Sequence, residues 1–174
     1  STDLGLNYWM YKNTVEGEQI TITLLGDITG ICEYKNPSNV NDKTNVWAPK
    51  DESGTLPINL YIPKGRNVVL NMNGHTISGS GYAILLSNQN ATLSLDSVTF
   101  KQSDSPDDQY SASVYADYGT VSSIENCTFI NSGKNGAIYI SGNKARVGTI
   151  KNCNFEEGIK TAIYIYVNPM GAVS

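Results

Sequence analysis

Asp96, Glu125 and Lys151 hold the same place in three successive copies of a six-residue pattern: Leu95-Asp-Ser-Val-Thr-Phe100, Ile124-Glu-Asn-Cys-Thr-Phe129 and Ile150-Lys-Asn-Cys-Asn-Phe155. Stacked as neighbouring strands about 4.8 Å apart, Asp96 and Glu125 would approach the roughly 5–5.5 Å separation of a retaining carboxylate pair. Lys151 would add a cation beside them. The same residues also read as charges on a solvated outer face, with Glu125 and Lys151 forming an ordinary surface ion pair. Arg66 and Arg146 are the only arginines, and neither joins the column.

A second set of side chains offers recognition rather than reaction. The segments Tyr82-Ala-Ile-Leu-Leu86, Ala112-Ser-Val-Tyr-Ala116, Gly136-Ala-Ile-Tyr-Ile140 and Thr161-Ala-Ile-Tyr-Ile165 align on Ile84, Val114, Ile138 and Ile163. If those four face inward, alternation turns the next residues, Leu85, Tyr115, Tyr139 and Tyr164, outward. Three tyrosines at strand spacing make a flat aromatic strip of the sort that sugar rings or a partner protein prefer. Ser87, Asp117, Ser141 and Tyr166, two places on, supply hydrogen-bonding groups. A ladder of this kind can equally do no more than cover the sheet or pack beneath a loop.

Metal chemistry finds less support. Asp104, Asp107 and Asp108 crowd one segment, and oxygen-rich turns can hold calcium, but their spacing fits no defined calcium loop and reads as a solvated acidic turn. His75 is the lone histidine, at a place that Val98, Cys127 and Cys153 fill in the other copies, and reads as a lining or turn residue. Cys32, Cys127 and Cys153 are an odd count. The last two share a repeat position and are expected to stack as small buried thiols, neither a disulfide nor a zinc site. No cofactor is expected.

These groups depend on a repeat for their positions. Counting Met72-Asn-Gly-His-Thr-Ile77 as a first copy, the pattern recurs at steps of 23, 29 and 26 residues, and the second series at steps of 30, 24 and 25. A period in the twenties, built on alternating residues, indicates an all-β solenoid with several short strands per turn, a parallel β-helix. The third place of the pattern reads Gly74, Ser97, Asn126 and Asn152, residues that tolerate a left-handed backbone, so a corner is expected there.

Residues 1–174 are expected to form one domain of about five coils. Residues 1–16 are read as an N-terminal cap holding a short helix over 3–13, with Thr2 or Asp3 capping it and Leu6, Trp9 and Met10 on one face. Coils follow over 17–167, interrupted by inserted loops at 28–57, rich in Pro and Asn, and at 101–111. Residues 168–174 lack periodicity. Without an obvious cap there, truncation or self-association through that end is expected over a frayed monomer end.

The stretches Gly17-Glu-Gln-Ile-Thr-Ile-Thr-Leu-Leu-Gly-Asp27 and Ile62-Pro-Lys-Gly-Arg-Asn-Val-Val-Leu-Asn-Met-Asn-Gly-His-Thr-Ile77 look like the opening coil of bacterial cell-surface, adhesin-like proteins. Over roughly residues 4–167 the chain resembles the single-stranded right-handed parallel β-helix of the pectate-lyase-like superfamily. That resemblance implies a scaffold shared by lyases, hydrolases and adhesins, so function must rest on a site. Lyases of this kind place an Arg or Lys base beside acidic calcium ligands in a groove, which makes Asp96, Glu125 and Lys151 the candidate catalytic set of a polysaccharide lyase or glycoside hydrolase. A groove normally spans more turns than this coil provides. The resemblance therefore favours a non-catalytic, secreted or cell-surface module that presents Tyr115, Tyr139 and Tyr164, with Asp117 and Tyr166, to a glycan or surface protein. A third reading is an architectural or oligomerisation segment of a longer surface protein.

Composition agrees with these limits. With a net charge of −4 and only 16% charged residues, no basic stripe is available for phosphate backbones, and nucleic acid is not an expected partner. No apolar run approaches the length of a membrane span. A Ser-Thr-Asp start without methionine fits a processed secretory protein or a trimmed chain equally.

Overall fold

Val68 and Leu70 are buried while Asn67, Val69 and Asn71 are only partly so, and one coil later Leu93 and Leu95 are buried between Thr92, Ser94 and Asp96. This two-residue alternation makes each segment a strand with one face inward. The computed structural model describes residues 6, 7, 9, 10, 13–29, 58–79, 81–102, 111–131, 135–156 and 159–166. Among them the strands are β1 (Gln19–Thr23), β2 (Ile58–Tyr61), β3 (Asn67–Asn71), β4 (Thr76–Gly79), β5 (Tyr82–Leu86), β6 (Thr92–Asp96), β7 (Thr99–Gln102), β8 (Ala112–Glu125), β9 (Thr128–Ile130), β10 (Ile138–Lys151), β11 (Asn154–Phe155) and β12 (Ile163–Tyr166).

Every paired strand runs parallel to its neighbour, and the chain climbs as an all-β parallel solenoid of about four turns. Part of the expected first turn falls in 30–57, outside the described residues. One wall is β4, β7, β9 and β11. A second begins with β1, β3 and β6, and a third with β2 and β5. These two walls merge because β8 and β10, each 14 residues long, bend around the corner between them. β12 then pairs with the first part of β10.

The expected corners are present. Ser97, Asn126 and Asn152 have φ of 56°, 54° and 53°, the left-handed region in which Asn and Ser are tolerated and branched residues are not. The first copy differs in one respect. Leu70, not Met72, pairs with Leu95, and Asn71 pairs with Asp96, whereas Thr76 still pairs with Thr99. Two additional residues are therefore held in its corner, where Asn73 and Gly74 both have positive φ and the His75 amide donates to the Met72 carbonyl. Met72 is thereby fully buried and His75 displaced outward.

Inside the coil, Ile84, Val114 and Ile138 form one fully buried column, and Phe100 and Phe129, fully buried, form another that the partly buried Phe155 continues. At the N-terminal end, Leu6, Asn7, Trp9, Met10 and Asn13 have helical backbone. Met10 enters the core. Trp9, expected beside it, is half-exposed. Asn7 hydrogen-bonds to the backbone of β2: its Nδ2 donates to the Asn59 carbonyl at 2.9 Å and its Oδ1 accepts from the Tyr61 amide at 2.8 Å. An amide side chain thus satisfies part of the edge of β2, whose one strand partner among the described residues is β5. The buried Arg66 guanidinium ties down the following segment by donating to the Thr14 carbonyl and Oγ1, both at 3.0 Å.

Candidate functional site

The tyrosine column is built by β5, the first part of β8, the first part of β10, and β12, in which Leu85, Tyr115, Tyr139 and Tyr164 pair residue for residue. Tyr61 precedes Leu85 in the same column. Parallel pairing sets the rings at strand spacing: Tyr115 stacks on Tyr139 with centroids 5.0 Å apart, and Tyr164 follows at 5.2 Å from Tyr139 with its ring tilted by 38°. The stack also has a member that the repeat does not announce. Tyr82 belongs to the adjacent column, opposite Ala112, yet its ring lies 4.5 Å from that of Tyr115. The available signal was the small residue at 112, beside which a large ring can lean across.

Stacking fixes what this column shows to a ligand. Because each ring covers the face of the next, the column presents ring edges and phenol oxygens outward, not the flat strip of ring faces that alternation alone suggests. Burial changes along it. Tyr61 and Tyr82 are buried, Tyr115 and Tyr139 half-buried, and Tyr164 is exposed. Among the described residues no ring lies beyond Tyr164.

Polar groups run beside the rings. Tyr61 Oη accepts a hydrogen bond from Asn88, and burial pushes its phenol up to about 12. Burial likewise pushes Tyr115 up to about 12, with the Asp117 carboxylate adding to the effect and a hydrogen bond with Ser141 opposing it. The Asp117 carboxyl is itself raised by burial, against hydrogen bonds from Ser87 and from the backbone amides of Asp117 and Tyr118. Its Oδ1 is buried without a partner. Ser87, Asp117 and Ser141 are thus gathered beside the rings, and Tyr166 extends their column onto β12 opposite Ser141.

Asp96, Glu125 and Lys151 do stand in three successive coils, headed by Asn71 rather than Asn73. The chemistry of Asp96 is structural. Its Oδ1 accepts from Ser97 Oγ at 3.1 Å and from Asn126 Nδ2 at 2.8 Å, and Asn126 Oδ1 in turn accepts from Asn152 Nδ2 at 3.3 Å. The carboxylate terminates a ladder of corner amides. Among the described residues Glu125 and Lys151 make no ion pair, despite adjacent backbone positions.

Asp104, Asp107 and Asp108 lie outside the described residues, as does Cys32. Among the described residues no group of three or more His, Cys, Asp or Glu side chains could hold a metal. Cys127 and Cys153 are free thiols on adjacent coils, and burial pushes the Cys127 thiol up to about 12, away from reactive thiolate character. His75 Nδ1 sits 3.3 Å from Asp27 Oδ1, which also accepts from the Thr76 amide, so the histidine braces the first corner.

No family model, curated protein or solved structure matches the chain.

Proposed function

We propose that the chain is a non-catalytic recognition module of the secreted or cell-surface, adhesin-like kind, built on a right-handed coil whose N-terminal end residues 1–16 close. Its binding surface is the outer end of the tyrosine column. Tyr164 and Tyr166 meet the ligand first, and Tyr139, Tyr115 and Asp117 hold them from behind. The observation that carries this reading is β12 itself, where Ile163, Tyr164, Ile165 and Tyr166 are 41%, 45%, 55% and 45% exposed. Single exposed apolar residues are ordinary on protein surfaces, whereas here the inward-facing Ile163 and Ile165 and the outward-facing Tyr164 and Tyr166 are all left open along one strand edge, a combination that favours a partner. Tyr164 offers one unstacked ring face, and the phenol oxygens behind it offer hydrogen bonds to sugar hydroxyls or to a protein backbone.

Binding is favoured over hydrolysis because Asp96, the residue that would partner Glu125 in catalysis, is committed to the corner amides. A second reading, assembly with another subunit, is supported by the pairing of β12, which among the described residues has a neighbour on one side only. One experiment separates the two. A glycan array and a surface-protein array are probed with the wild type and with a Tyr164→Ala, Tyr166→Ala variant, and both proteins are weighed in solution. Selective binding lost in a folded variant supports recognition at this face, and binding that survives in the variant removes it. A defined oligomer that dissociates in the variant, with no ligand found, moves the assignment to assembly.

A further inference from the structure

The corner between the tyrosine wall and its neighbour contains a recess of about 600 Å³. It exists because β8 and β10 bend rather than break, with Gly119 at φ +79° and Gly142 at φ +80° taking the positive values that side chains resist. Gly119 also has no room for a side chain: a Cβ there would stand 2.6 Å from the Ala91 carbonyl oxygen. Across the bend Tyr118 pairs with Lys144, and Thr92, Thr120 and Arg146 form one column. Lys144 and Arg146 therefore line the same hollow.

The geometry points to this recess as a binding site for an acidic sugar, one bearing a carboxylate or a sulfate. Arg146 Nη1 donates to the carbonyls of Asn143 and Ala145, both at 2.8 Å, which orients the guanidinium and leaves its Nε and Nη2 edge without a partner among the described residues. That edge is the fork that takes a carboxylate or sulfate in two parallel hydrogen bonds. The Lys144 ammonium lies 5.0 Å above the Tyr118 ring centroid and 3.4 Å from its hydroxyl, held at the rim by a cation–π contact. Among the described residues neither cation makes an ion pair and no Asp or Glu lines the recess. In a chain of net charge −4, two cations kept together without a counter-charge are what an anion would complete.

The rest of the lining decides what carries the anion. Gln89, Asn90 and Asn143 supply amide donors and acceptors, and Thr92 and Thr120 supply hydroxyls. Such a surface suits the several hydroxyls of a sugar. A nucleic-acid backbone would require a longer run of cations than these two. No β12 residue lines this recess, although Arg146 and Asn143 also border a second hollow with Ile165 of β12, and the assignment does not depend on the reading of the tyrosine face.

The test is calorimetric titration of the protein at low and at physiological salt with four probes: a glucuronate-bearing tetrasaccharide, a sulfated glucosamine oligosaccharide, a neutral oligosaccharide of equal length, and inorganic sulfate. An acidic oligosaccharide is expected to bind, more weakly at higher salt, while the neutral one does not. Whichever acidic probe binds identifies carboxylate or sulfate as the group held. A Lys144→Gln, Arg146→Gln variant should weaken binding by about tenfold or more, and Arg146→Lys, which keeps the charge but loses the fork, should fall between. Tyr164→Ala, Tyr166→Ala should leave it unchanged, which separates this site from the β12 surface. Equal binding by wild type and the double Gln variant, equal affinity for the neutral probe, inorganic sulfate binding as tightly as the sugars, or no binding of either acidic sugar would each overturn the assignment.

Discussion

Two aromatic stacks climb this coil, one inside it and one outside. Phe100, Phe129 and Phe155 have centroids 5.0 and 4.9 Å apart with planes inclined by 13° and 5°. Tyr82, Tyr115, Tyr139 and Tyr164 keep nearly the same spacing, but their planes incline by 15°, 29° and then 38° as the column becomes more exposed. Strand pairing sets the spacing wherever the rings hold paired positions, because neighbouring strands are held at one distance, and Tyr82, opposite Ala112, joins the outer stack by leaning across. The planes behave differently: the phenylalanines stay near parallel even where Phe155 is only partly buried, whereas the tyrosine planes open as burial falls from Tyr82 to Tyr164. Equal repetition in sequence therefore produces a structural column within the wall and an adaptable one on its surface.

The most direct way to break this comparison is to truncate one ring from each stack. Phe129→Ala removes a fully buried ring with partners on both faces and is expected to lower unfolding free energy by about 3–5 kcal/mol. Tyr164→Ala removes an exposed ring with one stacked face and is expected to cost no more than about 1 kcal/mol. Urea denaturation of both variants measures the difference. Equal losses would mean that the outer column is part of the core, and would also weaken the case for β12 as a free binding surface.

Much of this contrast could be read from residue types. The repeat placed Leu85, Tyr115, Tyr139 and Tyr164 in one column, and Ser97, Asn126 and Asn152 at left-handed corners, because both follow from strand alternation and backbone sterics. Alternation tells which side of a strand a residue faces. It is silent about which way a ring lies, so a column with its edges outward was read as a flat strip. It also cannot show that Ala112 lets Tyr82 lean into the stack from the next column. The two extra residues of the first corner leave no mark on the pattern, in which Met72 matches Leu95 and Asn73 matches Asp96, whereas the strands pair Leu70 with Leu95 and Asn71 with Asp96. The corner recess was hidden for a different reason. Lys144 and Arg146 meet the 89–92 segment only because two long strands bend at Gly119 and Gly142, and a bent strand looks in sequence like a strand followed by a loop.

A second difference between the stacks is chemical: only the outer one rests beside a titratable group. The Asp117 carboxyl is raised by burial above its ordinary 3.8. The native state therefore binds this proton more firmly than the unfolded chain does. The resulting stabilisation is complete below the ordinary carboxylate value and is lost as pH rises through the raised one. Asp117→Asn should remove that decline, so that stability measured from pH 3.5 upward falls less steeply in the variant than in the wild type. An unchanged slope would show that the carboxyl is better solvated than its unpartnered Oδ1 implies. A loss that appears only at high pH would show instead that the ionised carboxylate is the better acceptor for Ser87.

The smallest expected effect sharpens the gradient along the outer column itself. Tyr61 and Tyr115 are each pushed up to about 12, chiefly by burial, so their phenols should ionise about two pH units after an ordinary tyrosine. Both shifts are upward, so the stabilisation they provide is present below pH 10 and lost as pH rises through 12. In a phenolate absorbance titration, Tyr115→Phe should remove amplitude from the last-ionising component and leave the earlier ones intact. Asp117→Asn should advance the ionisation of Tyr115 only partway toward the ordinary value, because the carboxylate is the second cause of its shift and burial the first. A complete return to the ordinary value in Asp117→Asn would make the charge, rather than confinement within the stack, the property that distinguishes the middle of the column from its open end.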